Sequence, residues 1–340
     1  MSTNANSSAN DDTIPSSSIS TYYIIVGVST VMFVVIATVN ILTLVALATT
    51  PQLRTIPNMY VASLAMSDVL VSTNQIVTVT WLHPDLHGYF ETSQTLCLFV
   101  KCWSYVPFVS SIATVVLVAV DRFVYIIYPL FYLRVVTRAK TIVILVVTWM
   151  FCVVFTLCVR MLTAGKDFEG CGLLAVLFES QSTGYLHSLI FLLVHTALCL
   201  LYGFILRVAF KQARAVGAYD HFRNTTNDVS MTSAEHVTQA RVVEARLKLK
   251  AVLRMGGVFV MSFVCWTPYA IVCLTGPQKA SREVMLTTFY LISFNSAGNF
   301  CIYALADREF RAALAKMLRL AASDRNSASA NSGSIDLAAP

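Results

Sequence analysis

The stretch "ATVVLVAVDRFVYIIYPL", residues 113–130, decides how this chain is read. An apolar run meets an adjacent acid and base, Asp121 and Arg122, and then continues apolar to Tyr128 and Pro129. In water such a pair needs no explanation. Inside hydrocarbon it is expensive and marks function by default. The rest of the chain says which setting applies. Its 340 residues are 56% hydrophobic and 12% charged, about half the charge of a soluble domain. The apolar residues gather into seven runs, about 22–49, 57–83, 95–127, 140–161, 184–210, 249–274 and 284–305. Each is long enough to cross ~30 Å of hydrocarbon as a helix, the form that satisfies its own backbone there. The predicted fold class is therefore an all-α membrane protein, a seven-transmembrane helix bundle.

Orientation follows from the basic residues. One set of connections holds Arg54, Arg134, Arg138, Lys140, the cluster from Arg207 to Arg254, and Arg308, Arg311, Lys316 and Arg319. The other set holds only Lys101, Arg160, Lys166, Lys279 and Arg282, against Asp85, Glu91, Asp167, Glu169, Glu179 and Glu283. Positive charge stays in the cytoplasm, so the N-terminus is expected outside and the C-terminus inside. The net charge of +6 is then a topology signal that suits anionic membrane lipid, not nucleic acid. Residues 1–21 are rich in Ser, Thr, Asn and Asp and hold no Lys or Arg. They read as an extracellular disordered tail without the basic start of a signal peptide. Asn6 opens a glycosylation triplet, Asn6-Ser7-Ser8, which any tail of this composition also produces by chance.

Most of the nine cysteines fall mid-span. Cys97 at the outer end of the third run and Cys171 in the next outer connection are the disulfide candidates, both on the oxidising side. Cys102 and Cys158 are less favourable because they lie within helices. Residues 214–240 read as a long polar cytoplasmic loop, and the sixth helix is expected to begin near Arg241, ahead of the membrane. The domain plan is a seven-span bundle over 22–306, a short amphipathic surface helix over 307–320 and a disordered cytoplasmic tail over 321–340. On that short helix Phe310, Ala313, Leu314, Met317 and Leu318 share one face, with Asp307 as its N-cap.

Two positions inside the runs carry unexplained charge: Asp68, deep in the second, and the Asp121–Arg122 pair. Arg122 lies about 37 Å beyond Cys97 at 1.5 Å per helical residue, which places it at the cytoplasmic mouth of the third span. With these residues in place the chain resembles the rhodopsin-like (class A) G-protein-coupled receptors. The landmarks follow in order over nearly the whole length: Asn40; Leu64 to Asp68; Cys97; Asp121-Arg122-Phe123; Trp149; Cys265-Trp266-Thr267-Pro268; Asn299 to Tyr303; then Asp307 to Arg311.

The resemblance implies roles. Arg122 would pair with Asp121 at rest and turn to a G protein when the bundle opens. Leu130 would be the apolar knob of the second inner loop, and Tyr202 and Tyr303 would close a water-bridged contact in the active state. Trp266 would sit beneath the ligand, above a hinge where Pro268 removes a backbone hydrogen bond. Asp68 would bind an allosteric sodium ion with Ser111, Asn295, Ser296 and Asn299, since a hard cation takes several oxygen ligands. A protonated Asp68 in a structural polar network is the plainer alternative. Ser104, Phe108, Ser111, Val115, Val118 and Arg122 alternate in steps of four and three and so share one inward face.

The chain also departs from the family. Phe300 and Val194 stand where proline is usual, Phe123 replaces tyrosine, and Lys248 takes the place of the acid that helps lock Arg122. The last change predicts raised basal activity. Ser104 replaces the aspartate that receives amines, and Ser293 replaces the lysine that holds retinal, so an amine or light receptor is not expected. Residues 97–102, 129–140, 177–179 and 308–319 resemble adenosine receptors, which implies ligand contacts from Phe178 and Glu179. Cys273 and Ser293 stand at that family's decisive asparagine and histidine positions. The remaining pocket candidates are Lys101, Tyr105, Phe108, His187, Trp266, Tyr269 and Tyr290, a set suited to a small aromatic or neutral polar molecule.

The expected function is a plasma-membrane, multi-pass receptor that binds a small extracellular ligand and activates a heterotrimeric G protein. Sodium is its one expected ion and no other cofactor is implied. Membrane lipids are partners, and Ser323, Ser327, Ser329, Ser332 and Ser334 could recruit receptor kinases and arrestin. No nucleophile–base set or phosphate loop argues for an enzyme. The alternatives are a constitutively active receptor, a non-signalling decoy and, in another class, a transporter or channel, for which Asp68 and Arg122 alone make no continuous charged path.

Overall fold

The computed structural model describes residues 19–83, 92–164, 181–225, 233–276 and 279–319. Helices account for nearly all of them: α1 (Ile19–Thr49), a 3-10 turn (Pro51–Leu53), α2 (Ile56–Leu82), α3 (Gln94–Ile127), α4 (Pro129–Val135), α5 (Arg138–Ala164), α6 (Gln181–Thr225), α7 (Ser233–Thr275) and α8 (Arg282–Ala306). A further helix, α9, covers 308–319. The ends follow local chemistry. Proline opens α2 and α4, where the first turn needs no N–H. Ser93 and Ser281 cap α3 and α8, accepting from Leu96 N and Val284 N at 3.3 and 3.4 Å. Gly276 closes α7 at φ 99°, a left-handed turn that glycine adopts without a Cβ penalty.

The seven apolar runs become α1, α2, α3, α5, α6, α7 and α8, a seven-helix bundle with α4 and α9 at one end. Five of them are long and apolar enough to cross a membrane on composition alone: Tyr22–Thr49, Gln94–Ile127, Arg138–Met161, Gly184–Arg214 and Leu249–Thr275. The other two, α2 and α8, have 27 and 25 residues, long enough for ~30 Å at 1.5 Å each. Their low hydropathy has a structural cause. Ser63, Ser67, Asp68, Ser72, Gln75 and Thr78 of α2, and Ser293, Asn295, Ser296 and Asn299 of α8, are all buried. These helices turn polar faces inward, whereas α5 turns Ile142, Val143, Val147, Met150 and Phe151 outward, as a lipid-facing helix does.

One expectation is corrected. Residues 214–240 are not mainly a loop: α6 continues to Thr225 and α7 begins at Ser233. The sequence there is polar but proline-free, and its Ala, Arg, Gln and Glu residues are good helix formers, so helix persists where the apolar pattern stops. Residues 1–18 and 320–340, with Asn6 and the tail serines, lie outside the described residues. In α9, Asp307 caps as expected, its Oδ1 accepting from Glu309 N and Phe310 N at 3.0 and 3.2 Å. Phe310 and Ala313 are buried, and Leu314 and Met317 pack against the core, but Leu318 is exposed.

Side-chain hydrogen bonds tie the helices together. Asn40 Nδ2 donates to Ser296 O at 3.1 Å, joining α1 to α8. Trp149 Nε1 donates to Ser63 Oγ at 3.1 Å, and that hydroxyl also meets Thr114 Oγ1 at 3.1 Å, so α2, α3 and α5 share one node. Each such bond within a membrane is worth about 0.6 kcal/mol. The landmark residues Asn40 and Trp149 thus act as interhelical ties.

Candidate functional site

Three sites lie along α3: a charged end, a polar centre and a cavity toward Cys97. At the charged end Arg122 is buried, with 4% of its surface exposed. Its Nε donates to Asp121 Oδ2 at 2.9 Å, and its Nη2 bonds the same oxygen. The guanidinium also lies 5.2 Å from the Tyr125 ring centre. The other carboxylate oxygen, Asp121 Oδ1, accepts from Tyr132 OH of α4 at 2.9 Å. Burial, and then the nearby Asp121 charge, push the Tyr132 phenol pKa up, so the hydroxyl remains a donor. The sequence reading found Asp121 and Arg122 but missed Tyr132. The signal was available in the proline-started helix that follows Tyr128. On the same short helix Leu130 is 81% exposed, with Phe131 and Leu133 beside it.

Tyr202 and Tyr303 are both buried in the large inner core cluster. Tyr202 stacks on Phe259 at 5.3 Å, and Tyr303 meets Phe310 edge-on at 6.4 Å. Neither hydroxyl has a hydrogen-bond partner. Phe300, at the missing proline position, packs edge-on against Phe310 at 6.0 Å, and α8 is helical through it. At the same end Arg254 of α7 forms an ion pair with Asp307, the residue that caps α9. The sequence reading assigned Asp307 only its cap. Lys248, the basis for expecting a missing lock, has its side chain outside the described set.

In the polar centre Asp68 is fully buried, and its Oδ2 accepts from Asn299 Nδ2 at 3.0 Å. Asp68 Oδ1, Asn295 Oδ1 and Asn299 Oδ1 are buried acceptors without partners. Ser111 and Ser296 are buried as well. One carboxylate with neutral oxygens fits a hard monovalent cation. Among the described residues no group of three His, Cys, Asp or Glu side chains comes together.

The cavity is a partly open hollow spanning about 500 Å³ of space between atoms, open solvent included. Of the predicted residues it brings together Lys101, Ser104, Tyr105, Phe108, Trp266 and Tyr269. A second hollow of about 360 Å³ shares Tyr105, Phe108, Trp266 and Tyr269 and adds His187, whose ring lies 4.5 Å from that of Tyr105. Phe108 meets Trp266 edge-on at 5.2 Å to form the apolar floor.

Three predicted residues do not line either hollow. Ser293 is buried and accepts from Gln75 Nε2 at 2.8 Å. Tyr290 turns to α1, its hydroxyl 2.9 Å from Ser29 Oγ. Cys273 is a buried thiol, outside any disulfide, against Gly184 of α6, where a Cβ would lie 3.5 Å from its sulfur. Phe178, Glu179 and Cys171 lie outside the described residues. Cys97 is disulfide-bonded, whereas Cys102 and Cys158 are free.

The sequence reading missed Asn74, Arg160, Phe289 and Ile292, which also line the cavity. Arg160 had been counted only as a topology charge. Its signal was periodic: Trp149, Cys152, Thr156 and Arg160 follow in steps of three and four on the inward face of α5, and the last three are buried.

Comparison with known proteins agrees with this geometry. The family described as "7 transmembrane receptor (rhodopsin family)" matches residues 39–303. The human alpha-1D adrenergic receptor is 25% identical over 333 residues, covering 86% of this chain and 56% of that receptor. The rat trace amine-associated receptor 9 is 27% identical over 287 residues, covering 81% of each, and the mouse trace amine-associated receptor 4 is 26% identical over 286 residues. The chain thus spans little more than half the length of the alpha-1D adrenergic relatives it matches. These relatives lend no support to the adenosine-receptor resemblance. Because the matched segment runs from α1 to the end of α8 and takes in every helix of the bundle, the chain belongs to the rhodopsin family of seven-transmembrane receptors.

Proposed function

We propose that this chain is a plasma-membrane receptor, N-terminus outside, that binds a small extracellular ligand in the cavity and activates a heterotrimeric G protein through the Arg122 end. The single observation that carries the reading is the span of α3. One 34-residue helix lines the cavity with Lys101, Ser104 and Phe108 and holds the buried Arg122–Asp121 pair at its other end. A ligand that repacks the Phe108–Trp266 floor therefore acts on the element that carries the charge pair. Population shift between two packings needs no more than a ligand with different affinity for each. Leu130, exposed on α4, would meet the G protein, and Tyr202 and Tyr303 hold unpartnered hydroxyls that a rearranged bundle could bridge.

Asp68, Ser111, Asn295, Ser296 and Asn299 would hold sodium. The ion would neutralise the buried carboxylate and favour the packing described. The ligand reading is a non-amine molecule. The relatives named above are amine receptors by name, but Ser104 offers no counter-charge to an ammonium. Adenosine is not part of the proposal, since Cys273 packs on α6 and Ser293 is engaged by Gln75. Nucleotide exchange by G proteins added to receptor in lipid nanodiscs tests the reading. Wild type should exceed empty nanodiscs, and Arg122→Ala should fall to their level. Equal exchange by both variants, at any level, points to a decoy or to a transporter that ion flux in proteoliposomes would reveal.

A further inference from the structure

A further hollow, outside the sites described above, lies on the surface where the ends of α7 and α8 near Arg122 meet the start of α9. Among its described lining residues four are cationic, Lys250 and Arg254 of α7 and Arg308 and Arg311 of α9, and none is a carboxylate. Arg254 is already paired with Asp307. Arg311 Nη1 donates to Ala304 O and Leu305 O at 3.0 and 2.6 Å, closing the end of α8. Those carbonyls carry no net charge, so the guanidinium keeps its own. Lys250 and Arg308 are exposed and make neither a hydrogen bond nor an ion pair among the described residues. Glu309, the next acid on α9, does not line the hollow. Lys250, Arg308 and Arg311 are therefore cations that no lining acid answers, and like charges gathered together favour an anion between them.

The apolar surroundings say what kind of anion. Leu253 and Leu305 line the same hollow with 51% and 80% of their surface exposed. On α7 Leu253 opens a stripe of exposed apolar residues that continues through Val260, Val264 and Ile271. On α8 Leu305 ends a stripe that runs through Phe294 and Cys301. Steps of seven and four keep one helix face, so both stripes lead from the hollow along the outside of the bundle. With the Arg122 end in the cytoplasm, as proposed above, the cations lie at the level of the inner-leaflet headgroups and the stripes at that of the acyl chains. A soluble phosphate would use the first and not the second. A singly charged headgroup would leave most of the cations unanswered.

We propose that this hollow binds an inner-leaflet phospholipid whose headgroup carries phosphate monoesters, and that the bound lipid clamps α7 to α9. The phosphates lie among Lys250, Arg308 and Arg311, where arginine offers paired donors to phosphate oxygens, and the acyl chains follow the two stripes. Contacts come from α7 on one side and α9 on the other, so an opening that draws α7 away parts them. The lipid therefore favours the closed packing, as any ligand with unequal affinity for two states does. The site stands on this geometry, whereas the clamp rests on the receptor reading.

Full-length receptor is placed in nanodiscs of phosphatidylcholine with either phosphatidylinositol bisphosphate or phosphatidylserine, at matched total lipid charge. Bound lipid is counted by native mass spectrometry, and basal nucleotide exchange is measured in the same discs. The test variant combines Lys250→Gln with Arg308→Gln. The control combines Lys316→Gln with Arg319→Gln, which removes the same charge from a different surface hollow on α9. Wild type and control should retain the bisphosphate lipid, and the test variant should bind it about 30-fold more weakly, at about fivefold for each charge removed near a membrane surface. Phosphatidylserine should be retained less than the bisphosphate lipid by wild type. The bisphosphate lipid should lower basal exchange several-fold in wild type and control and leave the test variant unmoved.

Equal retention of the bisphosphate lipid by test variant and control, or equal retention of the two lipids by wild type, overturns the site. Displacement by an equal concentration of soluble inositol trisphosphate assigns the hollow to a soluble anion and overturns it too. Exchange that rises with the bisphosphate lipid overturns the clamp. Lipid lost from the test variant alone, with no exchange by wild type in any disc, contradicts the receptor reading and leaves the site standing. Wild-type exchange that Arg122→Ala abolishes, with retention alike in test variant and control, does the reverse.

Discussion

Removing the ion pair between Arg254 and Asp307 should raise the ligand-independent activity of this receptor. The pair joins the inner part of α7 to the junction of α8 and α9, and its side chains are 15% and 16% exposed. It is neither a surface pair, worth about 0.2–1 kcal/mol, nor a fully dry one. Arg254 Nε makes no hydrogen bond, so the contact is not a two-pronged fork and lies at the lower end of charged hydrogen bonds, about 1–2 kcal/mol. If α7 must leave α8 to open the G-protein site, losing the pair shifts the open-to-closed ratio about 5- to 30-fold, at ~1.4 kcal/mol per decade. A receptor resting about 1% open would then rest about 5–20% open. Asp307→Asn is the clean perturbation, because asparagine caps a helix as well as aspartate does and the bonds to Glu309 N and Phe310 N survive. Arg254→Gln removes the other partner. Basal nucleotide exchange in nanodiscs, measured for both single variants and the double, gives the coupling between them. Each single variant should raise basal exchange several-fold, and the double should add little. Wild-type exchange in both single variants would refute the reasoning. By tying α7 to the start of α9 the pair would oppose the raised basal activity expected from Lys248.

The remaining predictions concern the interior. Replacing sodium by choline at equal ionic strength should lower the unfolding midpoint of wild type by a few degrees, as ligand linkage requires, and should leave Asp68→Asn unmoved; an equal response in both variants would assign Asp68 a purely structural role. At Gly298 a Cβ would lie 2.8 Å from Met261 Cε and 3.1 Å from its Cγ and Sδ, so α7 and α8 approach closely there. Gly298→Ala should cost about 1–3 kcal/mol through overpacking, read as a lower unfolding midpoint, and Met261→Ala in the same chain should restore much of it. A neutral Gly298→Ala would mean that Met261 has room to turn aside.

The bundle was legible because hydrocarbon imposes long apolar helices. Arg122, Asp68 and Asn299 stood out because each is polar where polarity is costly. Even so, α2 and α8 needed the structure to explain their polarity, which is buried against neighbouring helices and not turned to water. The extension of α6 and α7 across most of 214–240 was hidden because apolar periodicity ends at the membrane while helix propensity does not. At the cavity the inward-face pattern of α3 includes Ser104 and Phe108, and these line it together with Lys101 and Tyr105, which the pattern did not include. Arg160 was hidden by its position near a helix end, where a basic residue ordinarily reports topology. Tyr290 and Ser293 were misplaced because neighbouring positions on one helix can face different partners, here α1 and α2 in place of the cavity. The pairings Arg254–Asp307 and Tyr132–Asp121 depend on tertiary approach that no local spacing encodes.

The central claim is that the bundle has two packings, and that Arg122 leaves Asp121 when α7 moves away from α3. Spin labels placed by genetic encoding at Lys140 and Lys250, both exposed at the Arg122 end, test it most directly by pulsed distance measurement in nanodiscs. Adding nucleotide-free G protein should lengthen the distance by about 5 Å, the scale of one helical turn, and Arg122→Ala should abolish the change. A single unaltered distance distribution with and without G protein would contradict the account.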